Sequence, residues 1–191
     1  MKKIAIRELL IVLTVFLMGS VVGNGQILKS FEGEVFGGIT VPLSNAYGMN
    51  KNSGGEIGFE VRYNFAKLPV DVGLQWKWTS SCYTFQDPIV GPGGGYQELD
   101  ATYQTKGLFI YGDYNFRRGK KVCPFLGVGL GYGVNNTLDF PLYEVDRNTA
   151  VFAPRAGVEL WHFLRLTANM NISRNCFHNA TLSVGFVLGG K

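Results

Sequence analysis

Eight segments of this chain alternate apolar and polar residues, and no other sequence feature constrains the fold as strongly. In the third segment, Leu74 and Trp76 alternate with Gln75 and Lys77. Successive side chains of a β-strand point to opposite faces, so each segment predicts a strand with one apolar and one polar face. Each is about as long as a tilted strand that crosses a bilayer, roughly 9–11 residues. The segments are 30–41, 55–65, 70–79, 108–116, 125–134, 152–160, 164–172 and 182–189.

The two faces of the predicted strands differ in charge. The apolar faces carry no charged residue, whereas the polar faces carry ten: Glu32, Glu34, Glu60, Arg62, Asp71, Lys77, Asp113, Arg155, Glu159 and Arg165. A soluble barrel such as a lipocalin would alternate as well, with its apolar face inward. Here the polar faces mix the charges with many glycines and with Phe36, Phe109 and Tyr111. That mixture suits the packed interior of a narrow barrel better than a surface in water, and the glycine face of the fifth segment is expected to make room for bulky neighbours.

The links between the predicted strands alternate in length. The short links are 66–69, 117–122 and 161–163. The mostly longer links are 42–54, 86–105, 135–149 and 174–180. Outer-membrane barrels have short periplasmic turns and longer outer loops, so both termini are expected at the periplasmic end. A strand structure that crosses a bilayer must also be closed, because hydrocarbon offers no partner for unpaired backbone groups.

Aromatic residues gather near the ends of the predicted strands. Near the short links lie Phe31, Tyr63, Phe65, Tyr114, Phe116, Phe125, Trp161 and Phe163. Nearer the long links lie Trp76, Trp78, Tyr132 and Phe152. Two such bands are typical of the membrane–water interfaces of a barrel. The ordinary β propensity of aromatic residues explains their presence in strands but not this banding.

Residues 1–25 are predicted to be a signal peptide and residues 26–191 the barrel. Lys2, Lys3 and Arg7 precede a short apolar stretch that ends at Gly23-Asn24-Gly25, and an uncleaved anchor is the alternative. Removing this segment lowers the formal net charge from +4 to +2, since it takes away three basic residues and one acidic one. No broad basic surface remains, so we expect no nucleic-acid partner.

The sequence therefore predicts an all-β fold, an eight-stranded antiparallel up-and-down transmembrane β-barrel. Pro154 conflicts with this prediction, because proline removes a ladder donor inside a barrel that has no free edge. A β-bulge, or a late start of the sixth strand, would accommodate it. The chain resembles the small outer-membrane barrels common in Bacteroidetes, similar in build to OmpX and to the OmpA transmembrane domain. The matching stretches are the Gly-rich first strand ending at Pro42, Pro124 to Tyr132, and Leu182 to Phe186. The family is functionally heterogeneous, so the resemblance implies no active residues.

The strongest candidate constellation is a polar cluster inside the barrel. Charges removed from water must pair, or they cost several kcal/mol each. We expect a salt-bridged plug of structural importance; a narrow ion path is the alternative, and no open pore is expected. The residues of the predicted cluster are Glu60, Arg62, Lys77, Arg155, Glu159 and Arg165.

Other chemistry is weakly supported. A rim hydrolase or acyltransferase needs a base beside a hydroxyl, and His178, Ser80 or Ser81, and Asp87 are the candidates. Gly91 to Gly95 resembles a phosphate loop in composition alone. The basic run is expected to be a solvated turn, with contact to anionic lipid or a partner as the alternative; it consists of Arg117, Arg118, Lys120 and Lys121. A Cys82–Cys176 disulfide is conceivable, but three unpaired cysteines are the default expectation. We predict no catalytic residues, no cofactor and no metal site.

The leading functional hypothesis is a non-enzymatic outer-membrane barrel with a structural, adhesion or surface-interaction role. The alternative is a lipid A-modifying enzyme. The expected partners are outer-membrane lipid and lipopolysaccharide, and the barrel insertion machinery during biogenesis. The hypothesis leaves open an extracellular ligand bound through the outer loops.

Overall fold

The structure, a computed structural model, describes residues 30–44, 50–88, 96–138, 148–174 and 178–189. The predicted signal peptide, Cys176 and the loop 91–95 lie outside these residues. Within these ranges no helix is long and apolar enough to cross a membrane. The described strands are β1 (Phe31–Pro42), β2 (Asn50–Asn52), β3 (Gly54–Asn64), β4 (Val70–Pro88), β5 (Tyr96–Asn115), β6 (Val122–Leu138), β7 (Asn148–Leu160), β8 (Leu164–Ser173) and β9 (Asn179–Gly189).

Eight of these strands form a closed antiparallel wall, as predicted. Each wall strand pairs with its neighbour in the chain, and β1 closes the barrel on β9, from Glu32 opposite Gly189 to Pro42 opposite Asn179. The short β2 pairs with β4 outside this wall order, at residues 82–84. Closure gives the backbone groups of the wall partners in neighbouring strands, which a bilayer could not supply.

The side chains alternate between the barrel interior, or lumen, and the outer surface. All ten charged residues predicted to point inward are buried. The apolar residues between them face outward, with Leu130 exposed at 68% and Leu182 at 71%. Glu56 is an eleventh buried charge that the sequence analysis did not name, although it lies four residues before Glu60 on the same strand face. The barrel is thus polar inside and apolar outside.

Aromatic side chains form two bands on the outer surface. At the end of the short turns, Phe31 and Phe65 each pack edge-on against Tyr63, with ring centroids 5.1 Å and 5.0 Å apart. Towards the other end, Phe59 stacks on Trp76 at 5.7 Å. Phe125 was predicted to belong to the first band, but its ring is buried in the lumen.

Three strands are longer than predicted, and they carry a hairpin beyond the wall. β4 has 19 residues, β5 has 20 and β6 has 17. The predicted long link at 86–105 is therefore mostly strand, with pairing up to Pro88 opposite Tyr96. Residues 98–104 alternate the apolar Leu99, Ala101 and Tyr103 with polar residues, a strand pattern that the sequence analysis did not name.

The inner face of this outer hairpin is packed. The side chains of Tyr83, Ala101 and Tyr103 are each exposed by 2% or less. Tyr83 lies directly opposite Ala101 and five residues beyond Trp78 of the outer aromatic band. Burial, and then the neighbouring Tyr103, raise the pKa of Tyr83 to about 12, so its phenol is neutral at physiological pH. The hairpin is a packed extension of the barrel.

Pro154 is accommodated without the predicted bulge or late strand start. β7 begins at Asn148, six residues before Pro154. The β7–β8 pairing is interrupted between Phe152 opposite Ile172 and Arg155 opposite Asn169, and its register is the same on both sides. Because the register is the same on both sides of the interruption, the strand contains no extra residue. The proline therefore removes inter-strand pairing locally but does not shift the strand.

Two of the short turns are tight β-turns. The Phe163 N–H donates to the Leu160 carbonyl at 3.2 Å, and the central residues Trp161 and His162 have φ of 50° and 67°. Positive φ at both central positions matches the type I′ turn, whose twist suits a β-hairpin. In the turn before it, Gly119 takes φ of 76° where the Lys120 N–H bonds to the Arg117 carbonyl at 3.1 Å.

Glycines of β6 make room for large side chains of β5. Gly129 lies opposite Tyr111 and Gly131 opposite Phe109 in the strand register. A Cβ added at either glycine would overlap the ring of its partner. The two rings lie flat over this glycine track, 6.0 Å apart and 24° from parallel. The predicted role of the glycine face of this strand, space for bulky neighbours, is confirmed.

The Gly129→Ala variant should lower the free energy of unfolding by about 1–3 kcal/mol, the usual cost of overpacking. The Tyr111 ring is buried and cannot move aside. The matched control is Gly112→Ala, because Gly112 has no atom within 4 Å of its added Cβ. The control should be neutral or slightly stabilising. Urea titrations of the refolded barrel measure both changes, and equal destabilisation by the two variants would contradict this packing.

Candidate functional site

Arg155 joins carboxylates from two other strands across the lumen. Its Nη1 donates to Oε2 of Glu60 at 2.6 Å, and its Nη2 donates to Oδ2 of Asp113 at 2.7 Å. β3 and β7 are opposite one another in the eight-strand order of the wall, so the bond to Glu60 crosses the full lumen. Arg165 of β8 donates from Nη2 to the same oxygen of Asp113.

Arg62 completes this arrangement on the other side of the lumen. Its Nη1 lies 2.6 Å from Oε2 of Glu34 and 3.9 Å from Oε1 of Glu60. Arg165 Nε lies 3.8 Å from the same oxygen of Glu34. Cations and anions therefore alternate around a closed loop, called here the ionic ring. Its members are Glu34, Arg62, Glu60, Arg155, Asp113 and Arg165.

Aromatic rings support two cations of the ionic ring from one side. The Arg155 guanidinium lies 3.8 Å from the centroid of Tyr111, and that of Arg165 lies 3.6 Å from the centroid of Phe125. A guanidinium over an aromatic face gains a cation–π attraction that is stronger where water is excluded. Gly157 stands beside the Phe125 ring, where an added Cβ would overlap that ring. The glycine positions of β6 and β7 thus permit the stacking.

A second cluster lies one inward-facing position nearer the long-loop end, around Lys77. Its Nζ donates to Oδ1 of Asn171 at 2.7 Å and lies 3.3 Å from Oε2 of Glu56. The amide of Asn169 and the hydroxyl of Thr79 donate to the two oxygens of Glu56, at 3.1 Å and 3.0 Å. Lys77 also donates to the Tyr111 hydroxyl at 3.3 Å, which connects this cluster to the ionic ring.

A third set of charges lies at the end of the short turns. Arg118 Nη2 is 3.6 Å from Oδ1 of Asp71, and Arg118 Nη1 donates to the carbonyl of Leu68 at 2.6 Å. His162 Nδ1 lies 3.8 Å from Oε1 of Glu159. Arg118 is thus half-buried and bonded, whereas the leading expectation for its segment was a solvated turn.

The structure places all six predicted cluster residues in the lumen, where Glu159 lies directly opposite Arg165 in the β7–β8 register. Glu60, Arg62, Arg155 and Arg165 belong to the ionic ring, and Lys77 lies beside it. Glu159 lies near the short-turn end, while Arg155 bonds to Glu60 and Asp113. Strand spacing could identify the inward charges, but not which of them meet across the lumen.

The structure does not assemble the predicted rim hydrolase among the residues it describes. Ser80 Oγ accepts from the N–H of Gly55 at 3.0 Å and donates to its carbonyl at 3.3 Å. His178 precedes β9, which is separated from β4 by β3 and β1. Three strand spacings of about 4.8 Å put this imidazole well outside hydrogen-bond reach of Ser80 along the wall. Ser81 points into the lumen, and the side chain of Asp87 lies outside the described residues.

Two cysteines lie in the described part of the chain. Cys82 Sγ is 4.0 Å from the Thr102 hydroxyl, and Cys123 Sγ donates to Oδ1 of Asn115 at 3.8 Å. Cys82 is a free thiol, which agrees with the default expectation, and Cys176, its conceivable disulfide partner, lies outside the described residues. No group of three or more His, Cys, Asp or Glu side chains suited to a metal ion occurs among the residues described.

Replacing Arg155 with Met should reduce stability by about 3–5 kcal/mol, because it leaves Glu60 and Asp113 buried without their main cation. Adding Glu60→Gln should recover part of this loss, since it removes one uncompensated charge. Denaturant unfolding of the single and double variants in lipid vesicles measures the coupling. Additive losses in the double variant would contradict a direct pairing of Arg155 with Glu60.

Comparison with known proteins supports the fold. No protein-family model matches the chain, and no curated protein sequence matches it either. Among solved structures it is similar to Neisserial surface protein A, with a TM-score of 0.53 and 13% identity over 83% of this chain and 96% of that one. Its similarity to Ail, the attachment invasion locus protein of Yersinia pestis crystallised with the heparin analogue sucrose octasulfate, gives a TM-score of 0.47 and 13% identity, covering 83% and 99% of the two chains. The barrel domain of Pseudomonas aeruginosa OprF gives 0.41 and 13% identity, over 84% and 98%. The first likeness is one of fold alone, and it agrees with the wall described above: the chain has the eight-stranded, OmpA- and OmpX-like fold of small outer-membrane barrels.

Proposed function

We propose that this protein is a non-enzymatic barrel of the bacterial outer membrane that presents its outer hairpin for adhesion or another surface interaction. One observation carries the proposal. The barrel has an apolar outer wall around an ionic interior, and β4 and β5 extend as a packed hairpin beyond that wall.

The outer wall favours insertion in a lipid bilayer. Its exposed residues include Ile110, Leu126, Leu130, Leu182 and Phe186 on β5, β6 and β9. A soluble monomer rarely exposes such a continuous apolar surface, because hydrating it costs free energy in proportion to its area. Hydrocarbon removes that cost, and the two aromatic bands match the two interfaces of a bilayer.

The orientation follows from the unequal ends. In outer-membrane barrels the short turns face the periplasm and the long connections face outward. On this basis both termini lie in the periplasm after removal of the signal peptide. The wall would then contact phospholipid on one side and lipopolysaccharide on the other, and the insertion machinery would be its partner during biogenesis. Membership of the Bacteroidetes-type barrels rests on the sequence motifs quoted above.

The interior favours a structural role over transport. The ionic ring joins strands on opposite sides of the lumen, and its side chains are buried. Moving an ion through this level would require separating charge pairs that have little access to water. The ring therefore acts as a cross-brace that fills the lumen and stiffens the wall.

The outer hairpin is suited to present a surface. Its inner side is held by Tyr83 and Tyr103, and Thr84 donates to Oδ1 of Asp100 across the two strands at 2.9 Å. Glu98 and Asp100 are exposed on this hairpin. A rigid projecting element loses less conformational entropy on binding than a mobile loop, so it favours recognition of a partner.

If the apolar wall faces lipid, two neighbouring substitutions on β9 should differ in the stability that they cost. Val184→Arg should cost about 2–4 kcal/mol of stability in lipid vesicles, as expected for a cation near the midplane on the lipid face. Ser183→Ala, on the lumen face, should cost less, because it removes only the 3.4 Å bond from Ser183 Oγ to the Thr167 carbonyl. Urea unfolding in vesicles measures both, and the reverse order would refute insertion in this sense.

The surface-interaction role predicts that the outer hairpin carries binding. Cells that display the chain should adhere to an immobilised mixture of extracellular-matrix proteins more strongly than cells without it. Replacing residues 84–100 with an Asn-Gly turn should reduce that adhesion at least about fivefold, while the barrel still folds, because β3 pairs with β4 only as far as Thr79 and β6 pairs with β5 only as far as Thr102. Heat-modifiable gel migration checks folding.

Two results would contradict this role. One is unchanged adhesion after the hairpin is shortened, and the other is adhesion equal to that of cells without the protein. The His178→Ala variant tests the enzymatic alternative. It should leave the lipid A mass spectrum of expressing cells the same as that of cells with the unchanged protein, and a shift between the two would favour a lipid-modifying enzyme.

A further inference from the structure

The three short turns of the barrel expose positive charge without negative charge. Turn 65–69 carries Lys67, and turn 116–121 carries Arg117, Arg118, Lys120 and Lys121. Turn 161–163 contributes Trp161, His162 and Phe163. None of these turn residues, all of which the structure describes, is acidic. At the opposite end the described surface is mixed, with Lys51, Lys106 and Arg174 near Glu98 and Asp100.

The turns are bonded into one platform. Arg118 Nη1 from the second turn donates to the Phe65 and Leu68 carbonyls of the first. The Trp161 N–H of the third turn donates to the Lys121 carbonyl of the second at 2.6 Å. Since Arg118 is occupied in this way, the exposed cations that remain are Lys67, Arg117, Lys120 and Lys121, which are named here the basic turn face.

The basic turn face lies directly beyond the aromatic band at this end. Arg117 follows Phe116, which is exposed at 59%, and Lys67 follows Phe65 by two residues. Trp161 stacks on Phe163 at 6.1 Å in the third turn. Aromatic bands sit at the depth of the lipid headgroups, so cations one or two residues further out reach the level of the lipid phosphates.

We propose that the basic turn face binds the headgroups of anionic phospholipids in the leaflet at the short-turn end. The proposal rests on the insertion of the barrel described under the proposed function, and it adds a lipid preference to it. Each basic residue near an anionic bilayer surface favours it about fivefold, so four together should give a selectivity of at least about tenfold for anionic over zwitterionic lipid.

Lipid fits this face better than a soluble acidic macromolecule does. The cations belong to turns whose aromatic neighbours face the bilayer. Once the barrel is inserted, they therefore already lie beside the lipid headgroups, and no separate docking step is needed. Ionic attraction at an exposed surface also falls with salt, because the Debye length shortens from about 10 Å at 0.1 M to 3 Å at 1 M.

The test uses the full chain refolded in nanodiscs of equal phosphatidylcholine and phosphatidylglycerol. Native mass spectrometry counts the lipids retained on the released barrel. The unchanged chain should retain phosphatidylglycerol over phosphatidylcholine by at least about threefold, since lipids along the rest of the wall dilute the preference. The triple variant Arg117→Gln, Lys120→Gln, Lys121→Gln should lower this ratio towards one, because only Lys67 of the basic turn face then remains.

The matched control removes three positive charges at the other end, by Lys51→Gln, Lys106→Gln and Arg174→Gln, and should keep the preference. Equal retention of the two lipids by the unchanged chain would overturn the proposal. So would a preference that is undiminished in the triple variant, one that the control loses equally, or one that added polyglutamate abolishes at matched ionic strength. Heat-modifiable gel migration distinguishes failure of the proposed insertion from failure of the proposed lipid site. A chain that never folds into the nanodisc refutes the insertion itself, whereas an inserted chain without a preference for phosphatidylglycerol refutes only the lipid site.

Discussion

Three arginines buried in the middle of a narrow cylinder need carboxylates close by, and this requirement organises much of the barrel. Arg62, Arg155 and Arg165 are each almost fully buried. A charge in such a place is tolerated only when it is paired and hydrogen-bonded. The carboxylates come from β1, β3 and β5, so the pairing ties distant parts of the wall together. The rings of Tyr111 and Phe125 then support the guanidinium groups, and glycines leave room for those rings.

The inverted distribution of polarity depends on closure of the wall. Because β1 pairs with β9, the backbone groups of the wall bond within the sheet, and the outer surface need present only apolar side chains. The same closure isolates the lumen, where the charges pair with each other. A single period-two pattern therefore serves two environments, hydrocarbon outside and an ionic packed core inside.

The two ends of the barrel suggest separate tasks. At one end the long strands β4 and β5 form a hairpin with a packed inner side, to which the proposed function assigns the surface contact. At the other end the turns are tight, bonded to one another and positively charged. The ionic ring between them holds the wall rigid, so a contact at either end meets a fixed platform. The proposed contacts are thus made at the two ends of the barrel, and the ionic ring between them stabilises the wall.

The sequence by itself determined the number of wall strands, their antiparallel order and which side chains face the lumen, because a period of two assigns each residue to a face. It also indicated the glycine track of β6. Only the tertiary structure decided that Arg155 meets Glu60 and Asp113 across the lumen, since the stagger between distant strands is set by barrel closure. It also decided that Phe125 lies under Arg165 and that Pro154 interrupts the strand pairing without a bulge. Local alternation carries no information on these points, because each depends on which strands stand next to, or across from, one another.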